Sequence, residues 1–181
     1  MKVRPNEPSF SSQKHQSMHT LEESFSQYRS TNTGELCLIV LRCDDGSRLT
    51  PEQVEVSIER GVHGDRWERD PKRKYEEQIA AMDIGVANIF SNGQSLTLFG
   101  DNLFFAQDWS MWKVGDIFAL GTARFMVSSE PHTGCAKFSR RFGKAALKKT
   151  VQDAHKKLRG IYLQVIQDGV IQKGAVIQPI D

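Results

Sequence analysis

Cysteine is scarce in this chain, with three residues among 181. A small, odd number excludes a disulfide scaffold and points to a reducing compartment, the cytoplasm. Cys37 and Cys43 lie in one strand-like run, and at about 3.3 Å per residue they are about 20 Å apart, beyond bridging distance. There is no Cys-x-x-Cys and no His-x3-His spacing, which argues against a zinc site. No apolar run approaches the roughly 20 residues that span a bilayer, and Met1 to Gln16 is polar throughout, with no signal-peptide core. A large net charge is also missing, since 24 Lys and Arg against 22 Asp and Glu leave +2. At 39% hydrophobic and 25% charged, the composition is that of one ordinary globular domain with its own core.

The near-neutral total hides an asymmetry. Between Pro131 and Gly160 there are nine cations and a single acid, Asp153, giving +8 in that segment and −6 in the rest of the chain. A basic patch on an otherwise acidic protein suggests an anion held at one place, and equally describes a solvated helix face.

Met1 to about Gln16, rich in Ser, Gln and Pro, is expected to be disordered. Thr20-Leu21-Glu22-Glu23 fits a capping box opening a short helix with Leu21, Phe25 and Tyr28 on one face. Residues 1–33 thus read as a flexible extension bearing one helix, and residues 34–181 as the domain. Glu35 to Arg42 is apolar on both alternating faces, the pattern of a central buried strand. Val54, Val56 and Ile58 alternate with polar residues in a half-exposed strand, and Trp67 to Glu77 is a charged loop. Gln78 to Phe90 fits both helix and strand periods. Short strands are expected at Leu96–Leu98, Asn102–Ala106, Ile117–Leu120, Ala123–Ser129 and Ile161–Gln167, separated by glycine turns. One amphipathic helix is expected over 144–158, where Leu147, Val151, Ala154 and Leu158 share a face. Many short strands with few helices predict a mostly β, α+β fold, a barrel or sandwich.

The densest chemistry lies in Glu130-Pro131-His132-Thr133-Gly134-Cys135-Ala136-Lys137-Phe138-Ser139-Arg140-Arg141. A free thiol titrates near about 8.5, and cations or a helix N-terminus favour the thiolate that attacks sulfur or binds a soft metal. Lys137, Arg140 and Arg141 follow Cys135 within two turns of a helix that Thr133 or Gly134 would cap. The same pattern also suits a buried structural cysteine beside a solvated basic turn.

Several segments, in order, resemble the MOSC domain, named from the C-terminal domain of molybdenum cofactor sulfurases. They are Gly61-Val62-His63-Gly64-Asp65-Arg66, Gly100-Asp101-Asn102-Leu103, Val114-Gly115-Asp116, Pro131-His132-Thr133-Gly134-Cys135-Ala136-Lys137-Phe138, and Leu158-Arg159-Gly160-Ile161-Tyr162 followed by Gly169 and Gly174. The resemblance covers about Gly34 to Ile180 and is closest to stand-alone bacterial members. It implies a β-barrel with peripheral helices and makes Cys135 the functional cysteine. That residue would be a ligand to molybdenum in the cofactor of a reductase of N-hydroxylated substrates, or the persulfide carrier of a sulfur-transfer protein. Molybdopterin carries a phosphate, which Arg66, Arg159, Lys137, Arg140 and Arg141 would hold, with Thr133 in the same set. Asp65 would orient Arg66 or accept a pterin N–H, and Asn102 would donate to the ligand or stabilise its turn. His132 would shuttle protons beside Cys135 or serve only as a loop residue. Pyridoxal phosphate is tied to the family through the larger sulfurases. Here Lys137 is the only lysine to consider for it, and the chain is too short for their desulfurase domain.

No iron–sulfur or flavin motif is present, so a reductase would need a separate electron-transfer partner, and a sulfur carrier a cysteine desulfurase. Non-enzymatic binding of RNA or another polyanion is the third reading. It is disfavoured because only Phe138 and Phe142 interleave with the basic residues.

Overall fold

The computed structural model describes residues 2–3 and 15–180. The expectation of disorder for the first 16 residues therefore falls largely outside the described residues. The strands are β1 (Lys2–Val3), β2 (Leu36–Ile39), β3 (Leu41–Arg42), β4 (Arg48–Leu49), β5 (Gln53–Ser57), β6 (Gly61–Val62), β7 (Ile79–Asp83), β8 (Leu103–Phe105), β9 (Ile117–Leu120), β10 (Ala123–Val127), β11 (Ile161–Gln167), β12 (Gly169–Gln172) and β13 (Gln178–Ile180). The helices are α1 (Met18–Gln27), α2 (Ile84–Ser91), α3 (Ala136–Phe142) and α4 (Lys144–Gln152). Seven strands in the order β13-β9-β10-β11-β7-β8-β2 form a curled half-barrel, and two three-stranded sheets, β1-β4-β3 and β12-β5-β6, flank it. The mostly β, α+β architecture expected from the sequence is the one observed.

The seven-stranded sheet has two apolar faces, and its strands alternate between them. Ile79, Ala81, Leu103 and Phe105 join Phe118, Phe125, Trp109 and Leu163 in the barrel core. Their neighbours Met82 and Phe104 point the other way, into a second core shared with the helices. The same split explains Glu35 to Arg42. The run is apolar on both faces because Leu36 and Ile39 belong to one core and Val40 to the other. It is nonetheless the last strand of the sheet, not a central one. A single antiparallel bridge, Glu35 to Val176, ties this end of the sheet to the segment leading into β13 at the opposite end.

The ambiguous Gln78–Phe90 segment contains both elements that its pattern suggested. Asp83 ends β7 and its carboxylate accepts from the backbone N–H of Gly85, capping α2. The crossover through α2 makes β7 and β8 parallel. Leu96–Leu98, expected as a strand, is a 3-10 turn capped by the Ser95 hydroxyl. Helix α1 begins earlier than the sequence suggested, because Ser17 rather than Thr20 is the cap. Its apolar face packs on the body: Leu21 is buried, the Phe25 ring meets Phe90 edge-on at 5.2 Å, and the Tyr28 hydroxyl donates to Asp83.

The amphipathic helix starts at Lys144 as expected but stops at Gln152. Asp153 leaves the helical region, its carboxylate held by Lys149 at 3.0 Å, and Lys157 adopts a left-handed conformation at φ 48°. Val151, placed by periodicity on the apolar face, is consequently 69% exposed. Phe138 and Phe142, one turn apart on α3, are buried against Phe99, with Phe142 stacked on it at 4.1 Å. Each buried phenylalanine contributes about 1.5–3 kcal/mol. Together they fix α3 and the residues that precede it.

Candidate functional site

Five separated segments converge on a cavity of about 710 Å³: the turn before β4, the 3-10 turn beginning at Arg66, the Leu98–Gly100 connection, α3 with the residue before it, and Arg159 ahead of β11. Five cations line it, Arg48, Arg66, Lys137, Arg141 and Arg159, with Asp45 the one acid. Cys135 lies in the same wall and is exposed. It occupies the cap position of α3 itself, where Thr133 or Gly134 had been expected.

Arg48 and Arg159 are held by backbone carbonyls and a buried acid, each with its Nε left without an acceptor among the described residues. Arg48 donates through Nη1 to the carbonyls of Gly46 and Ser47 at 2.9 and 3.1 Å, while its Nε meets no acceptor among the described residues. Burial, then the charges of Arg66 and Arg141, push the Arg48 guanidinium below its ordinary value. Arg141 reaches the Leu98 carbonyl at 2.5 Å. Arg159 is buried, with its charged group 5.1 Å above the Phe138 ring, and its Nη1 donates to both oxygens of Asp101 at 2.9 and 2.7 Å. Its Nε is also without an acceptor. The cavity therefore gathers positive charge, with buried donors of Arg48 and Arg159 left without acceptors among the described residues.

Gly160 makes this placement of Arg159 feasible. It sits at φ 88°, and a Cβ there would lie 2.0 Å from the Ala81 carbonyl oxygen. Only glycine lets the chain run this close to β7 before β11 begins.

Behind the cavity a second layer sets the geometry. Arg42 donates to both Asp65 oxygens, at 2.7 Å from Nη2, and through Nη1 to the Gly100 carbonyl at 3.0 Å. Asp65 also accepts from the backbone N–H groups of Arg42 and Trp67 and from the Asn102 amide. Burial opposes its ionisation, but hydrogen bonds and charge from Arg42 outweigh that and hold the carboxyl below its usual value. Asn102 donates further to the Val40 carbonyl and accepts from the Ala80 N–H. Asp65 and Asn102, read from the sequence as cofactor contacts, thus have their polar groups engaged within the protein and brace the Gly100–Asp101 turn.

His132 and Thr133 face a second cavity, of about 370 Å³, which Arg159 also lines. The His132 side chain is only 5% exposed, its ring lies 4.3 Å from that of Tyr162, and its Nδ1 is 3.6 Å from Asp101, too long for a hydrogen bond. Burial, with the charges of Arg159 and Arg42, pushes the imidazole well below its ordinary value, so the ring is neutral at pH 7. Burial pushes the Asp101 carboxyl up, against the pull of Arg159. Arg140 stands apart, in a shallow depression with His15 and Lys144.

Of the residues picked from the sequence, Cys135, Arg66, Lys137, Arg141 and Arg159 therefore share one cavity, and His132 and Thr133 belong to its neighbour. Arg42 and Arg48 carried no motif signal, since each is an isolated arginine in a strand. Asp101 lay inside the Gly-Asp-Asn segment, but nothing local marks it as the partner of a residue 58 positions away.

Among the described residues no helix is long and apolar enough to cross a membrane, and no group of three or more His, Cys, Asp or Glu could hold a metal ion. No curated protein matches the chain by sequence. Its fold is similar to the crystal structure of YiiM from Geobacillus stearothermophilus, with TM-score 0.57 and 19% identity over 83% of this chain and 75% of that one. It is similar to YiiM from Escherichia coli, with TM-score 0.58 and 18% identity over 81% and 70% of the two chains. It is also similar to the YUAD protein from Bacillus subtilis, with TM-score 0.61 and 15% identity over 79% and 93%. The profile of the MOSC domain matches residues 63–178, well over half the chain and including every residue that lines either cavity except the turn at Asp45–Arg48, and the protein belongs to the MOSC domain family.

Proposed function

We propose that the cationic cavity binds the phosphate-bearing molybdenum cofactor, with Cys135 as its thiolate ligand, and that the protein reduces N-hydroxylated substrates. The observation that carries this reading is the convergence of Arg48, Arg66, Arg141, Arg159 and Lys137 around one exposed thiol. The residues present fit the group. The Nε atoms of Arg48 and Arg159, buried and without acceptors among the described residues, would serve an anion, and the single sulfur would supply one soft donor. No cluster of His, Cys, Asp and Glu competes for the metal among the described residues.

In this reading the arginines bind and orient the anionic end, and the buried Asp101–Arg159 pair fixes one of them. Phe99 and Phe138 give that guanidinium an apolar floor. When bound, the cofactor supplies two-electron redox chemistry. Reducing an N–OH group to N–H consumes two electrons and two protons and releases water, and the electrons come from a separate donor protein. His132, neutral and in the loop between the two cavities, would hold or pass a proton.

The test is elemental analysis of wild type and Cys135→Ala, both expressed with molybdate in a host that makes the cofactor. Near-stoichiometric molybdenum in wild type and its loss in the variant supports the reading. Metal-free wild type sinks it and turns attention to a Cys135 persulfide. One added sulfur, about 32 Da, after incubation with a cysteine desulfurase and cysteine would reveal that species.

A further inference from the structure

The cavity of about 370 Å³ beside His132 is a separate compartment from the cationic one. The wall between them is the Pro131–Cys135 loop: Gly134 lines one cavity and Cys135 the other, while Arg159 lines both. Its surface is mainly apolar, built from Val127, Ala154, Leu158 and Ile161, with Val114 and Val151 at 65% and 69% exposure. Val151 is an apolar residue on an amphipathic helix that nothing in the described chain covers. Two of the charges here are already used: Arg159 is paired with Asp101, and Lys157 donates to the Trp112 carbonyl. The His132 side chain is 95% buried, yet its Nδ1 makes no hydrogen bond among the described residues.

We infer that this cavity is a binding site for a small, uncharged, mostly apolar organic molecule with one hydrogen-bonding group, which His132 receives. Volume, apolar lining and one unmet polar group are the usual make-up of a small-molecule site. A charged ligand would find no counter-ion released for it, apart from Glu130 in the lining. A molecule seated there lies across one loop from Cys135, in a compartment separate from the one proposed for the anion, and its binding does not rest on the proposed function.

The two are separated by titrating ¹⁵N-labelled protein, as isolated, with benzamide, benzoate, benzamidine and, independently, pyrophosphate. Benzamide is expected to shift the amides of Val114, Thr133, Gly134 and Ile161 saturably, at least tenfold more tightly than its anionic and cationic counterparts. Val151→Arg and Val114→Asp, at exposed positions, should each weaken benzamide at least tenfold and leave pyrophosphate shifts at Gly46, Arg66 and Cys135 unchanged. His132→Phe, which keeps the ring against Tyr162, should weaken benzamide similarly. Absence of saturable benzamide shifts at this cavity, or rim variants that bind as wild type does, overturns the assignment. Equal or tighter binding of benzamidine overturns the uncharged class in favour of a cation held by Glu130. If benzamide binds and pyrophosphate does not, this inference stands and the anion-cofactor reading falls.

Discussion

Arg159 and Asp101 form a fully buried ion pair 58 residues apart in sequence, joined by two contacts from a single guanidinium nitrogen. The pair links the turn before β8 to the turn before β11 and fixes an arginine that lines both cavities. Removing one partner leaves an uncompensated buried charge. Asp101→Ala is expected to destabilise the protein by about 3–5 kcal/mol. The double variant Asp101→Leu/Arg159→Met should recover much of that loss while still failing to bind anions. Urea unfolding with the three proteins measures it, and a single variant within experimental error of wild type would show that the pair holds nothing in place.

His132 predicts an acid-side loss of stability. Its folded value lies well below 6.5, so below about pH 6.5 the unfolded chain takes up a proton that the native ring does not. Stability is therefore level above that pH and falls as pH drops below it, by up to about 1.4 kcal/mol per pH unit for one proton. His132→Phe should flatten the difference between midpoints at pH 7 and pH 5.5. An unchanged pH profile in the variant would mean that another group carries the effect.

Arg48 should trade stability for binding. It is buried among like charges, so Arg48→Met is expected to cost less than about 1 kcal/mol of stability or to add to it. Losing a charge-assisted contact to an anion costs about 1.5–3 kcal/mol, roughly ten- to a hundredfold in affinity. Thermal unfolding and pyrophosphate titration of the same variant test both halves. Unchanged affinity would remove Arg48 from the site.

Gly160→Ala should be among the most damaging single-atom changes in the chain. The new methyl would meet the Ala81 carbonyl at 2.0 Å from a backbone at φ 88°. Strain at the dihedral and overpacking each cost about 1–3 kcal/mol. The variant is expected to melt well below wild type and to lose anion binding, because Arg159 must move with it. A variant with wild-type melting would show that β7 and β11 can separate there without penalty.

Much of this was legible in the chain. Leu36, Ile39 and Val40 announced a strand buried on both sides. The helix expected after Cys135 forms, and Cys135, Lys137 and Arg141 line one cavity while Arg140 stands outside it. Where reading failed, it failed for reasons of partnership. Periodicity put Val151 in a core, but Asp153 and Lys157 end the helix before its register is complete. Of the two roles open to Asn102, ligand donor or turn stabiliser, its bonds serve the second, and Asp65 orients an arginine 23 positions away, Arg42 rather than Arg66, which short-range pattern does not reveal. Leu96–Leu98 is apolar enough for a strand, yet Ser95 caps it into a turn.

The sequence by itself determined the family, the strand-rich fold, the glycines at the tight approaches and the thiol with its local cations. These are properties of neighbours in the chain, set by backbone sterics and by the period of apolar side chains. The tertiary structure alone decided which arginines line the cationic cavity, which acids are consumed behind it, and that a loop of five residues divides two cavities. Such assignments depend on which distant groups compete for each hydrogen bond, and burial removes water as the default partner, so only the folded arrangement fixes the outcome.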